Sequence, residues 1–237
     1  CYADEGKQNL CEEKCMGAVL IELLPLTIAA ALLPIWIIMT LFLLRGEGGL
    51  AKASAFIAGA VSVRLLQGVF FGFVLGSDEA GVDRSGVIKA TLLLVVGLLM
   101  LVAAYKKWRK EEDPDAPPPK WMSTLSGLSA VKAFGMGALL MVVAVKQWVF
   151  TLSALAIIDE GQVSQLAGVL LFLLFVIGAQ LLMVIPILIT ALAPAQAGKL
   201  LDSAQGWLER NNRVITIAVS LIFGLWFVWK GVTGLMG

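Results

Sequence analysis

Histidine does not occur in this chain, and its three cysteines, Cys1, Cys11 and Cys15, all precede the first apolar run. Without imidazole there is no such metal ligand or proton relay, and no Ser-His or Cys-His nucleophile pair. A thiol electron carrier needs cysteines inside the membrane to pass reducing equivalents across, and the apolar runs hold none. Charge is scarce as well, with Asp, Glu, Lys and Arg at 15% of the 237 residues. The 18 basic and 17 acidic residues nearly cancel, which points to neither nucleic acid nor an acidic substrate. No carboxylate pair or metal-ligand cluster lies in an apolar run, so acid/base and metal-assisted catalysis lack their residues. The expectation is a protein that is not an enzyme and needs no cofactor and no metal.

What is abundant is apolar length. Hydrophobic residues make up 59% and mean hydropathy is +0.90, values of a polytopic membrane protein. Residues 131–158, VKAFGMGALLMVVAVKQWVFTLSALAII, exceed the roughly 20 residues needed to cross a hydrocarbon core of about 30 Å. Comparable runs cover about 17–44, 53–76, 87–105, 164–192 and 214–234, which predicts an all-α fold of six transmembrane helices. Between the last two runs, Leu200, Leu201, Ala204, Trp207 and Leu208 recur at helical spacing with charges opposite, the pattern of an interfacial amphipathic helix over about 195–211. The stretch KKWRKEEDPDAPPPKW joins a basic cluster, an acidic run and four prolines and cannot pack a core. It makes 106–130 a solvated linker between 16–105 and 131–237. An odd number of crossings in each half forces the second to be inverted, so the expected architecture is two inverted three-helix repeats.

Lys and Arg bias sets the orientation. Loops 1–2, 3–4 and 5–6 hold Arg45 and Lys52, then Lys106, Lys107, Arg109, Lys110 and Lys120, then Lys199, Arg210 and Arg213; loops 2–3 and 4–5 hold only Arg84. Both termini are therefore expected outside, with 106–130 cytoplasmic. That leaves 1–15 as an extracytoplasmic segment whose Cys1, Cys11 and Cys15 are candidates for a disulfide or, at Cys1, for lipidation after leader removal. An ordinary cleaved terminus, or residues foreign to a natural start at Met16, are the alternatives.

Polar side chains within the spans mark the candidate substrate site. Arg64 and Gln67 lie three apart on one helical face, and Arg64, which keeps its proton, must meet a partner, a wet cavity or an anion. Lys146 and Gln147 stand in the middle of their span beside Trp148; the lysine either serves a functional cavity or snorkels or pairs with another helix. Pro34, two residues before Trp36, removes a backbone donor and is either a break beside a cavity or a plain kink. Setting Trp36 against Trp148 puts Pro34-Ile35-Trp36 opposite Lys146-Gln147-Trp148, and inverted-repeat transporters carry their sites at such midplane points. Pro34, Trp36, Arg64, Gln67, Lys146, Gln147, Trp148 and Gln180 are expected to line the site, with Arg64 and Lys146 holding an anionic headgroup or carboxylate. Glu22, the sole acid well inside a span, sits near its outer end.

ELLPLTIAAALLPIWIIMTLFLL, AKASAFIAGAVSVRLLQG, VKQWVFTLSALAII and LITALAPAQAGKLLDSAQGWLERNNRVITIAVSLIFGLWFVWKG together resemble the peptidoglycolipid-addressing (GAP) proteins of the lysine-exporter (LysE) superfamily. The likeness covers about Met16 to Gly237, and the WLERNNR run before the last span is its most specific part. It implies a six-helix inverted-repeat protein of the bacterial plasma membrane that exports a glycolipid, another anionic or zwitterionic envelope component, or a small metabolite. Members of that family commonly have Asn-Pro-Lys where this chain has Ala144-Val145-Lys146, so the break that proline supplies in span 4 is missing, and the cysteine-bearing start is unlike theirs. Membrane lipids are the expected partners. A second copy of the chain or an envelope-export partner is also open, because the chain lacks an ATP-binding domain and span glycines such as Gly59 and Gly137 permit close packing. The alternative to a transporter is a non-transporting scaffold or assembly factor for envelope-lipid export.

Overall fold

A long apolar run in lipid has one economical conformation, the helix, because every backbone N–H and C=O must find its partner inside the segment. A computed structural model describes residues 5–45, 47–76, 82–109 and 127–236, and among them the fold is all-α with no strand. The helices are α1 (Glu5–Ala31), α2 (Pro34–Leu44), α3 (Gly49–Gly76), α4 (Val82–Arg109), α5 (Ala130–Val143), α6 (Val145–Glu160), α7 (Gln165–Leu192) and α8 (Pro194–Met236). Four helical stretches, Gly49–Gly72, Val87–Arg109, Gln165–Leu192 and Ala197–Met236, are long and apolar enough to cross a membrane. Two further pairs, α1 with α2 and α5 with α6, reach that length and apolarity only together and are bent by 54° and 72°, as in a broken span or a re-entrant loop. Among the described residues there are thus four helices long and apolar enough to cross a membrane, or up to six spans where each bent pair counts as one.

Two sequence expectations change. Residues 131–158 do not form one uninterrupted helix but two, divided at Ala144, although neither proline nor glycine stands there. The amphipathic segment 195–211 is helical but not a separate element: it runs without a break into the last span as the first part of α8. No proline or glycine cap separates the two, and 43 residues at 1.5 Å each make α8 about 65 Å long, twice a hydrocarbon core. Cys1 and most of the linker, 110–126, lie outside the described residues, and only the helical backbone is described at Cys11 and Cys15.

The helices are placed by very close backbone approaches. α3 crosses α5 where a Cβ on Gly59 would overlap the carbonyl oxygen of Phe134, and one on Gly137 that of Phe56. α4 lies along α8 in the same manner, a Cβ on Gly231 falling 2.7 Å from the Leu94 nitrogen. Without a hydrophobic force between helices in lipid, such small-residue contacts and dispersion carry the association. α7 packs against α1, α3 and α2; α6 against α4, α3 and α1; α2 against α3 and α8. One apolar core joins Leu23, Leu26, Phe150, Phe175 and Phe227, and a second joins Leu41, Phe56, Met141 and Met183.

Charge pairs close both ends of the bundle. Glu22 of α1 accepts from Lys89 of α4 at 3.3 Å and from Lys230 of α8 at 3.1 Å, and Lys89 also pairs with Glu160 of α6. At the other end Arg45, which caps α2, meets Asp202 of α8 at 2.5 Å, while Arg213 donates to the Trp108 carbonyl of α4 at 2.7 Å.

Candidate substrate site at two helix breaks

The first break falls at Leu32 and Leu33. Leu33 has extended backbone (φ −81°, ψ 104°), and Pro34 occupies the first position of α2, where its missing N–H costs nothing. The second falls at Ala144 (φ −80°, ψ 85°). There the indole of Trp148 donates to the Val142 carbonyl at 2.7 Å, giving an orphan oxygen of α5 a partner, and Ala144 O accepts from Gln147 N at 2.8 Å. The two half-helices that leave the breaks are built alike: Thr40 donates back to Trp36 O at 2.9 Å, and Thr151 to Gln147 O at 3.0 Å.

The two breaks and α7 meet at one point. Ala30, Ala31 and Trp36 from the first, Met141 and Gln147 from the second, and Gln180 from α7 surround a cavity of about 10 Å³. That is the room of about one water molecule, and two amide side chains supply its hydrogen-bonding groups.

Arg64 adjoins this point and is 1% exposed. It donates through Nη2 to Gln147 Oε1, and its guanidinium lies 5.4 Å from the ring centre of Phe175. Its Nε and Nη1 have no hydrogen-bond partner, and neither does either amide atom of the buried Gln67 one turn along. Arginine carries five N–H donors and no acceptor, so the neutral oxygen of Gln147 satisfies only a part of the group. Among the described residues no carboxylate pairs with Arg64 or with Lys146, which is half-buried in the first turn of α6. Glu22, Lys89 and Lys230 form the contrast, since each of those intramembrane charges is matched.

Of the residues expected from sequence, the structure gathers Trp36, Gln147 and Gln180 around one cavity and joins Arg64 to Gln147. Pro34 sets the break, Trp148 closes the other break with its ring 5.9 Å from that of Phe71, and Gln67 is buried beside Arg64. Lys146 does not line that cavity. Sequence reasoning missed Phe175, which stacks under Arg64, because a phenylalanine in an apolar run carries no signal beyond hydrophobicity.

A second, larger feature is a lateral groove of about 820 Å³ between α3 and the α6–α7 hairpin. Leu65, Gly68 and Val69 form one wall and Phe172 and Leu173 the other, while Asp159, Gln162, Ser164 and Gln165 give it one polar end. Phe172 rests on the backbone at Gly68, and its ring lies 6.2 Å from Phe175, the ring beneath Arg64.

A family model described as Sap, sulfolipid-1-addressing protein, matches residues 23–233, a stretch that contains both breaks, Arg64 and the groove. No curated protein and no solved structure matches the chain.

Proposed function

Given that the chain belongs to the Sap, sulfolipid-1-addressing protein, family, we propose that it is an exporter of an anionic amphiphile of the bacterial envelope, built on the plan of the LysE superfamily. The matching family is related to the peptidoglycolipid-addressing one that the sequence resembles, but is not the same. The observation that carries the reading is Arg64. A guanidinium buried in a bilayer and left with unpaired donors and no carboxylate is expensive unless something else completes it. An anionic headgroup would do so with charge-assisted hydrogen bonds, and the neighbouring amides of Gln67, Gln147 and Gln180 would hold its remaining oxygens. Lys146, which has no carboxylate partner among the described residues, would add positive charge along the path.

The inverted three-helix repeat belongs to this proposal, and the contacts support it. Exchanging α1/α2 with α5/α6, α3 with α7 and α4 with α8 maps observed packings onto observed packings: α3 on α5 becomes α7 on α1, α4 on α6 becomes α8 on α2, and α2 on α3 becomes α6 on α7. The broken helices then meet at the pseudo-symmetry centre, where transporters of this construction bind cargo. Both termini would lie outside the plasma membrane.

The test is export in cells lacking the native gene, read as the surface-extractable fraction of anionic glycolipid. Loss of one or two charge-assisted bonds, about 1.5–3 kcal/mol each, predicts that Arg64→Gln lowers export roughly tenfold or more. Arg64→Lys should recover a part of it, and adding Lys146→Gln should deepen the defect. Intact export in the Arg64→Gln, Lys146→Gln double variant would sink this site. A stoichiometric partner, with no transport by the reconstituted chain alone, would favour the scaffold instead.

A further inference from the structure

The 820 Å³ groove is not needed to explain how a headgroup is held, yet three features tie it to that headgroup. Its volume falls in the range of sites that enclose a ligand, on the order of 300–1,000 Å³. Its walls are apolar and open onto the side of the bundle, where Val69 is 73% and Val169 51% exposed. Its inner wall, Phe172, is separated from Arg64 by the single ring of Phe175.

Resting on the reading of Arg64 given above, we infer that this groove holds the acyl chain of the amphiphile whose anionic head reaches Arg64. The chain would lie along Leu65, Val69 and Leu173, half against protein and half against bilayer lipid. The head would reach Arg64 when the Phe172 ring swings away from Gly68 and the Phe175 ring turns aside with it. Among the described residues that line the groove there is no Lys or Arg, so its polar end holds no cation for an anionic head. Retention therefore belongs to Arg64, and the polar end serves as the point where the head leaves for water.

The experiment uses the full chain in nanodiscs containing either phosphatidylglycerol or phosphatidylcholine with a diazirine near the end of one acyl chain, followed by peptide mapping of the cross-links. The expected result is labelling at 65–72 and 168–173 several-fold above the rest of the lipid-facing perimeter, stronger for phosphatidylglycerol. Filling the groove with Val169→Trp, or at a second point with Leu173→Trp, should remove it. Arg64→Gln should abolish the headgroup preference while chain labelling persists. Even labelling around the perimeter, or labelling unmoved by both tryptophans, overturns the groove assignment, while export by Arg64→Gln independently decides the exporter reading. Groove labelling that ignores both headgroup and Arg64→Gln overturns the link between chain site and arginine.

Discussion

At the scale of single residues, the functional reading turns on a cost the resting protein bears. Replacing even a paired buried charge and its partner with apolar side chains of similar volume is commonly neutral or stabilising, by about 1–4 kcal/mol, and a charge without a counter-ion has less attraction to lose. Arg64→Met is therefore expected to raise the unfolding midpoint in mild detergent, by about 2–4 °C for each kcal/mol gained, while abolishing export. A lower midpoint would show that Arg64 holds the bundle together rather than its cargo. Glu22→Gln should do the opposite and lower the midpoint, because Lys89 and Lys230 both lean on that carboxylate. The sequence made Arg64, Gln67, Gln147 and Gln180 visible because a polar group in an apolar run has few innocent explanations. It could not tell matched charges from unmatched ones, since Glu22 and Lys230 are 208 positions apart and meet only through the fold.

At the scale of elements, the two breaks differ in origin. The one before Pro34 was readable, because proline cannot donate and fixes its own φ. The one at Ala144 was not: no residue there forbids a helix, and the bend is held by packing and by the Trp148 indole on the Val142 carbonyl. Val145 is the first residue of α6, where an N–H has no intrahelical acceptor. Val145→Pro should consequently leave folding and export within about twofold of the natural chain, as first-turn proline is well tolerated. Ala154→Pro, in the middle of α6, should cost about 3 kcal/mol or more and be seen as loss of the monodisperse species on size-exclusion chromatography. Equal damage from both would mean that α5 and α6 act as one continuous helix. The same reasoning explains why the amphipathic run at 195–211 reads as an independent helix: its pattern changes from that of the following span, but its backbone has no reason to stop.

At the scale of the whole molecule, the apolar runs and the all-helical fold they imply were legible, because each run is long enough to close its own backbone hydrogen bonds. The path of the groove was not, since it depends on Gly68 facing Phe172 across two helices. The orientation expected from Lys and Arg bias has a direct check. With the native cysteines replaced, a membrane-impermeant maleimide should label Gln162→Cys in intact cells and Asp202→Cys only after permeabilisation; the reverse pattern would invert the protein. α8 connects the two charge-paired ends of the bundle by itself. From Asp202, bonded to Arg45, to Lys230, bonded to Glu22, the helix runs unbroken through 28 residue steps, a rod of about 42 Å. Pivoting on its glycine contacts with α4, such a rod is a lever: a tilt of about 10° would swing either tip roughly 3–4 Å. Loosening the clasp at one end of the bundle would thereby strain the clasp at the other, so the two ends need no messenger beyond stiffness to know each other's state.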